Sequence, residues 1–170
     1  LNREEYKQKV VRANENPVQF SFNKIAKVIE GLAGANDFVA MLILLQLCSG
    51  ARIGELLYFA EFESTKRPHY VKQIGVLKAK NARNVQKPIL FITVENFLER
   101  FKRLRDKLKP LGIKNDEDAR KLNVKINRRV KKAFRNNKLH THDLRKLYAD
   151  LSFKAYADKQ MKSAWVSRVL

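Results

Sequence analysis

The apolar positions along this chain change period several times, and one stretch has no polar face at all. From Phe38 to Leu47 almost every residue is apolar (FVAMLILLQL), as in a helix surrounded by protein on every side. Asp37 stands where a capping side chain is needed. Cys48, Ser49 and Gly50 interrupt the run, and a second short helix carrying Arg52, Glu55, Leu56 and Leu57 is expected directly after them. Upstream, Ile25, Val28, Ile29 and Leu32 recur at helical spacing behind Ser21, another good cap, with Gly31 and Gly34 expected to end that helix. Its apolar stripe should pack on the central helix.

Beyond Leu57 the period shortens. Runs of aromatic and β-branched residues at Tyr58 to Glu63, Tyr70 to Ala79 and Val85 to Thr93 predict three strands, the third broken by Lys87 and Pro88. Lys80 to Asn84 (KNARN) has turn chemistry, which puts Lys78 and Lys80 at or near the tip of a hairpin. Helical spacing then resumes. Thr93 precedes a stripe of Phe97, Phe101, Leu104 and Leu108 that stops at Pro110 and Gly112. Asn115 precedes Asp116, Glu117 and Asp118, acidic residues suited to a first turn, and then Ala119, Leu122, Ile126, Val130 and Phe134. Thr141 is read as the cap of a helix burying Leu144, Leu147, Tyr148 and Leu151, and a short helix from Ser163 to Leu170 follows. The fold class expected is mainly α with a small three-stranded antiparallel β-sheet. Residues 1–20, charged and broken by Pro17, read as an N-terminal arm or linker at the edge of a larger protein, and residues 21–170 as one domain.

Charge narrows what such a domain is for. Lys and Arg number 36 against 17 Asp and Glu, a formal net charge of +19, far more than solubility needs, so the partner expected is a polyanion. Half of the basic residues fall between Arg100 and Lys146. The apolar run at Phe38 is too short and too internal for a signal peptide or a membrane span. Cys48 is the single cysteine, so no internal disulfide is possible, and it reads as a small apolar filler.

Four groups carry candidate chemistry. Arg52 and Glu55 lie three apart, on one face of a helical turn, so the carboxylate can aim the guanidinium; a plain structural ion pair is the alternative. His142 and Arg145 share the same spacing, and the plainer reading is an exposed histidine like His140 beside a surface arginine. A hairpin lysine is ordinarily just solvated. Together, two guanidiniums, a lysine and an imidazole are suited to hold a phosphodiester and move protons around it.

Order and spacing add to this. ARIGELL at Ala51 to Leu57, KNARNVQKPIL at Lys80 to Leu90 and HTHDLRKLYADL at His140 to Leu151 resemble the catalytic domain of tyrosine recombinases and integrases, over about Ser21 to Leu170. The resemblance implies Arg52 and Arg145 as a phosphate clamp, Lys80 as general acid with Lys78 as the alternative, His142 as an aid to proton transfer, and Glu55 behind them. It implies DNA cleavage through a 3′-phosphotyrosyl bond without metal or nucleotide cofactor, on double-stranded DNA, as a homodimer or higher oligomer, away from membranes. A cytoplasmic, nucleoid-associated place and a bacterial, phage or viral origin go with that reading. Lys78, Arg83, Lys125, Arg128, Arg129, Lys132 and Lys146 are the residues expected to meet the DNA.

VSRVL at Val166 to Leu170 resembles the start of the family's next motif, so the nucleophilic tyrosine and a second histidine or tryptophan are expected beyond Leu170, and this fragment alone is expected to bind without cleaving. Tyr148 and Tyr156 come too soon after Arg145 to match that nucleophile. The long segment after Arg145 resembles telomere resolvases, which make hairpin DNA ends, more than compact phage integrases; the intact H-x-x-R departs from that branch. An ordinary site-specific recombinase, and a non-catalytic nucleic-acid-binding module, are the alternatives.

Overall fold

The all-apolar helix sits where its pattern requires, at the centre. A computed structural model of the chain describes residues 19–77, 84–157 and 162–170. In it α1 (Phe22–Gly34) and α2 (Phe38–Ser49) are followed by a wide π-helical turn (Glu55–Phe59), strands β1 (Glu61–Ser64), β2 (Tyr70–Ile74) and β3 (Asn84–Pro88), and helices α3 (Val94–Leu108), α4 (Asp116–Phe134), α5 (Thr141–Tyr156) and α6 (Lys162–Val169). Helix α2 packs against α1, α3, α4 and α5 and is buried from Val39 to Ser49. Leu42, Ile43, Leu44 and Leu45 are wholly inaccessible, each contributing about 1.5–3 kcal/mol of apolar burial. Asp37 accepts from Ala40 N at 2.9 Å, and Ser21, Thr93 and Asn115 cap α1, α3 and α4 in the same way. Helix α1 runs through Gly31 and stops only after Gly34.

The sheet is antiparallel in the order β1-β2-β3, with Phe62 opposite Gln73 and Val71 opposite Lys87. Its inner face packs on α3 through Phe62, whose ring meets Phe97 and Phe101 edge-on at 5.2 and 4.9 Å. Helix α6 packs against β3 and α5, with Trp165 Nε1 donating to Ser152 Oγ at 3.0 Å. Among the described residues no helix is long and apolar enough to cross a membrane.

Four elements differ from the sequence reading. The short helix expected after Gly50 is a π-helical turn, and Tyr58 and Phe59 belong to it and not to the first strand. Ala60 N donates to Glu55 O, five residues back, at 2.9 Å, and Glu55, Leu56 and Leu57 are buried along the turn. The second strand ends at Ile74, before Gly75, whose φ of 87° turns the chain against the Phe59 ring. The third ends at Pro88, because Ile89 and Leu90 donate to His69 O and Cys48 O outside the ladder and Phe91, at φ 69°, closes a tight turn from Ile92 N to Leu90 O. At α5 the cap position is His140, whose backbone N–H donates to Asp143 Oδ2 at 2.9 Å, and Thr141 is the first helical residue. The 1–20 arm lies almost wholly outside the described residues.

Candidate active site

The end of α2 is built to hold Arg52. Gly50 adopts φ 64° and closes the helix, donating to Gln46 O at 2.8 Å. A Cβ there would lie 2.2 Å from Tyr148 Cδ1, so only glycine lets α5 approach this closely. Gln46 Nε2 donates to Ala51 O at 3.1 Å, and Ala51 N donates to Ser49 Oγ at 3.3 Å, so two buried side chains fix the backbone just before Arg52.

Glu55, 1% exposed, is the hub. Its Oε2 accepts from Arg52 N at 2.7 Å, its Oε1 accepts from Arg52 Nη1 at 3.0 Å and from Leu77 N at 3.0 Å, and Arg145 Nη1 stands 3.9 Å from Oε2. One carboxylate thus ties the π-turn, Leu77 beyond β2 and α5 together. Arg52 is one-third exposed, while the Arg145 side chain is 8% exposed. Among the described residues Nη1 of Arg145 is buried without a hydrogen-bond partner, and Nη2 donates to Leu170 O at 3.4 Å. Burial, together with repulsion from Arg52, lowers the Arg145 pKa to about 10, so the guanidinium is still charged at neutral pH.

The π-turn itself is held by Arg105, which the sequence pattern shows only as one of the basic residues of α3. It donates to Leu56 O, Glu55 O and Ala60 O at 2.8, 3.1 and 2.5 Å, bracing the carbonyls at the end of the irregular turn.

A second residue that sequence reasoning misses is Lys87. In the sequence it interrupts the third strand, yet Val85 and Lys87 alternate with exposed Asn84 and Gln86, and Lys87 is 2% exposed on the inner face. Its charge is felt by Glu55, Arg145 and Arg52. The available signal is a lysine at an inward register position.

His142 is exposed in the first turn of α5, three residues before Arg145, and its pKa is lowered by partial desolvation and then by Lys146 and Arg145. Arg128 and Lys132, both exposed, line a groove of about 590 Å³ with Val124, Asn127, Lys131, Asn137 and His140, leading to the start of α5. Lys146 is half-buried on α5. Arg129 turns away from that groove to Asp37 Oδ2 at 3.6 Å, and the Lys125 ammonium lies 4.9 Å over the Phe38 ring, so both brace α4 on α2. Lys78, Lys80 and Arg83 lie outside the described residues. Tyr148 is fully buried and donates to Pro88 O at 2.7 Å, and the Tyr156 ring packs edge-on to Tyr70 at 5.9 Å. Among the described residues no three His, Cys, Asp or Glu side chains converge as metal ligands do.

A family model described as the telomere resolvase ResT/TelK catalytic domain matches residues 16–170. The chain belongs to that family. Three solved structures share the fold. Protelomerase TelA covalently complexed with substrate DNA is 21% identical at a TM-score of 0.84, over 99% of this chain and 59% of that one. Protelomerase TelK complexed with substrate DNA is 15% identical at 0.81, over 99% and 38%. The XerH site-specific recombinase bound to difH substrate is 18% identical at 0.59, over 91% and 46%. At these identities the likeness is one of fold, and this telomere resolvase domain spans about three-fifths of the TelA chain. No curated protein sequence matches.

Proposed function

We propose that this domain carries the phosphate-handling half of a telomere resolvase, which cleaves double-stranded DNA through a 3′-phosphotyrosyl intermediate and rejoins it as hairpin ends. The observation that carries the reading is the pair of guanidiniums organised by one buried carboxylate, with Arg145 Nη1 buried and unpartnered among the described residues. A buried donor without a partner costs about 1–3 kcal/mol, and an incoming phosphate oxygen removes that penalty. Arg52 and Arg145 neutralise charge on the non-bridging oxygens. His142, at the solvent edge with a lowered pKa, is neutral at pH 7 and able to accept a proton. Lys80 or Lys78 supplies the proton to the leaving 5′-oxygen; Leu77, which precedes Lys78 in the chain, is bonded to Glu55. Tyr148, held against Pro88 O, and Tyr156, packed on Tyr70, are not assigned as the tyrosine nucleophile. Arg128 and Lys132 follow the DNA backbone along the groove at α5. The protein acts as a dimer or larger oligomer at the nucleoid of a bacterial or phage-infected cell.

The test is a nicked suicide duplex bearing the presumed target, incubated with the full-length protein and run on a denaturing gel. A covalent adduct at the 3′-phosphate, and hairpin products from an intact site, are expected. Arg52→Ala should bind DNA nearly as the wild type does while cleaving at least about 10²-fold more slowly, as when a transition-state donor is lost. Equal losses of binding and cleavage, or no adduct on a bound target, would leave a basic binding module instead.

A further inference from the structure

Two guanidiniums stand against one carboxylate in this site, a buried lysine lies within reach of their charges, and only the lysine is able to drop its own. Glu55 already accepts from Arg52 N, Arg52 Nη1 and Leu77 N, with Arg145 Nη1 at 3.9 Å. It cannot also neutralise Lys87, which the alternation of β3 directs to the same buried region. Guanidiniums keep their protons across the accessible range, whereas a buried amine does not.

We propose that Lys87 is the third cation of the phosphate site, and that its ammonium forms when a phosphodiester enters, so that DNA engagement takes up a proton at this residue. The inference rests on the reading that Arg52 and Arg145 hold a phosphodiester. It is separate from the general acid assigned to the hairpin lysines.

Among the described residues, three charged groups act on Lys87. The π-turn brings Glu55, with Arg52 just ahead of it, and α5 brings Arg145. Across the ladder, β2 presents the uncharged Val71 and Gln73 on this face. Burial depresses the Lys87 pKa most; Glu55 opposes this and the two guanidiniums add to it, leaving the group near 7 from an ordinary 10.5. In the free protein the amine is therefore largely neutral above pH 7. A phosphodiester beside the two guanidiniums adds a negative charge, which favours the charged amine and raises its pKa, so neutral amine plus a solvent proton becomes ammonium. The effect is a site whose positive charge grows when its anion arrives. His142 is the competing titrating group, since Arg145 and Arg52 lower its pKa as well.

Calorimetric titration of the protein with a short mixed-sequence DNA duplex, in buffers of unlike ionisation enthalpy, counts the protons. At about pH 8, roughly one unit above the free-state value of Lys87, the amine is about nine-tenths neutral, and the expected excess uptake of wild type over Lys87→Arg approaches about one proton per engaged site. Lys87→Arg keeps a cation in the site and should bind without that proton. Lys87→Met should also lose it, while His142→Gln should keep it. The lysine Cε resonance of Lys87 should move to its ammonium position on adding the duplex. Uptake unchanged in Lys87→Arg, uptake abolished by His142→Gln, or a Lys87 resonance that does not move with bound duplex overturns the proposal. A covalent adduct that forms while the proton count ignores Lys87 refutes this inference alone, whereas no adduct on a bound target refutes the underlying reading.

Discussion

Glu55 is the residue whose loss should be felt most widely. Glutamine has nearly the same shape but one acceptor oxygen in place of two, and its amide nitrogen points N–H groups at whichever donors face it. If the nitrogen takes the Oε1 position it meets Arg52 Nη1 and Leu77 N; in the Oε2 position it meets Arg52 N and the Arg145 guanidinium. Either way one or two charge-assisted bonds are lost, at about 1.5–3 kcal/mol each. Glu55→Gln should therefore destabilise by about 2–4 kcal/mol, and Glu55→Ala by about 3–5 kcal/mol, the range for removing one partner of a buried ion pair. Urea unfolding, with an unchanged slope, measures both. Because the cost comes from stranded cations, it should shrink when one is removed: Arg52→Met combined with Glu55→Met should recover at least about 1.5 kcal/mol relative to the sum of the single changes. High salt should alter these values little, since the carboxylate is buried. A loss below about 1 kcal/mol for Glu55→Gln, or strictly additive single and double changes, would mean that the carboxylate does not organise the arginines.

Two further outcomes follow from the geometry. Gly50→Ala should cost about 2–5 kcal/mol in urea unfolding, from a left-handed backbone together with displacement of the Tyr148 ring, and should reduce cleavage because Arg145 shares that helix; near-neutral stability would refute the close approach. Changing Arg128 and Lys132 together to Gln should reduce the slope of log K against log salt by about 0.9 for each phosphate left without its cation, whereas Arg129→Gln should leave the slope alone and lower stability through Asp37; the reverse pattern would move the DNA off the groove.

How much of this is legible in the sequence depends on whether a residue type has one reading or two. Helix α2 is readable because a run with no polar face has one stable placement, and Asp37, Ser21, Thr93 and Asn115 because a short polar side chain before an apolar period does one thing well. The ELLYF segment is not, since its aromatic and branched residues suit a strand start as well as a helix end, and what selects the π-turn is Arg105, 45 to 50 residues away in the chain. Phe91 ends the third strand through a backbone angle that phenylalanine rarely adopts. Of the candidate site, Arg52, Glu55 and Arg145, which the fold brings together, stand out by motif spacing. Lys87 escapes such a reading because a lysine in a strand is taken to face water, and its burial follows from its place opposite Val71 on the inner face of the sheet.

The basic residues therefore divide by what surrounds them, and that division separates general DNA attraction from chemistry. On α3 and α4 most are exposed, and solvent and salt weaken their fields within about a Debye length. At the junction of the π-turn, β3 and α5, Lys87 and Arg145 are nearly inaccessible, and two guanidiniums share one carboxylate whose charge also acts on Lys87. Such an imbalance lowers the stability of the free protein, and packing alone does not require it, since apolar side chains of similar volume would fill the same space at less cost. What it does provide is a field, already assembled in a low-dielectric pocket, for an anion that supplies the missing charge. A phosphodiester with two negatively charged oxygens at its transition state fits that deficit better than its ground state does, which is the condition for catalysis beyond binding.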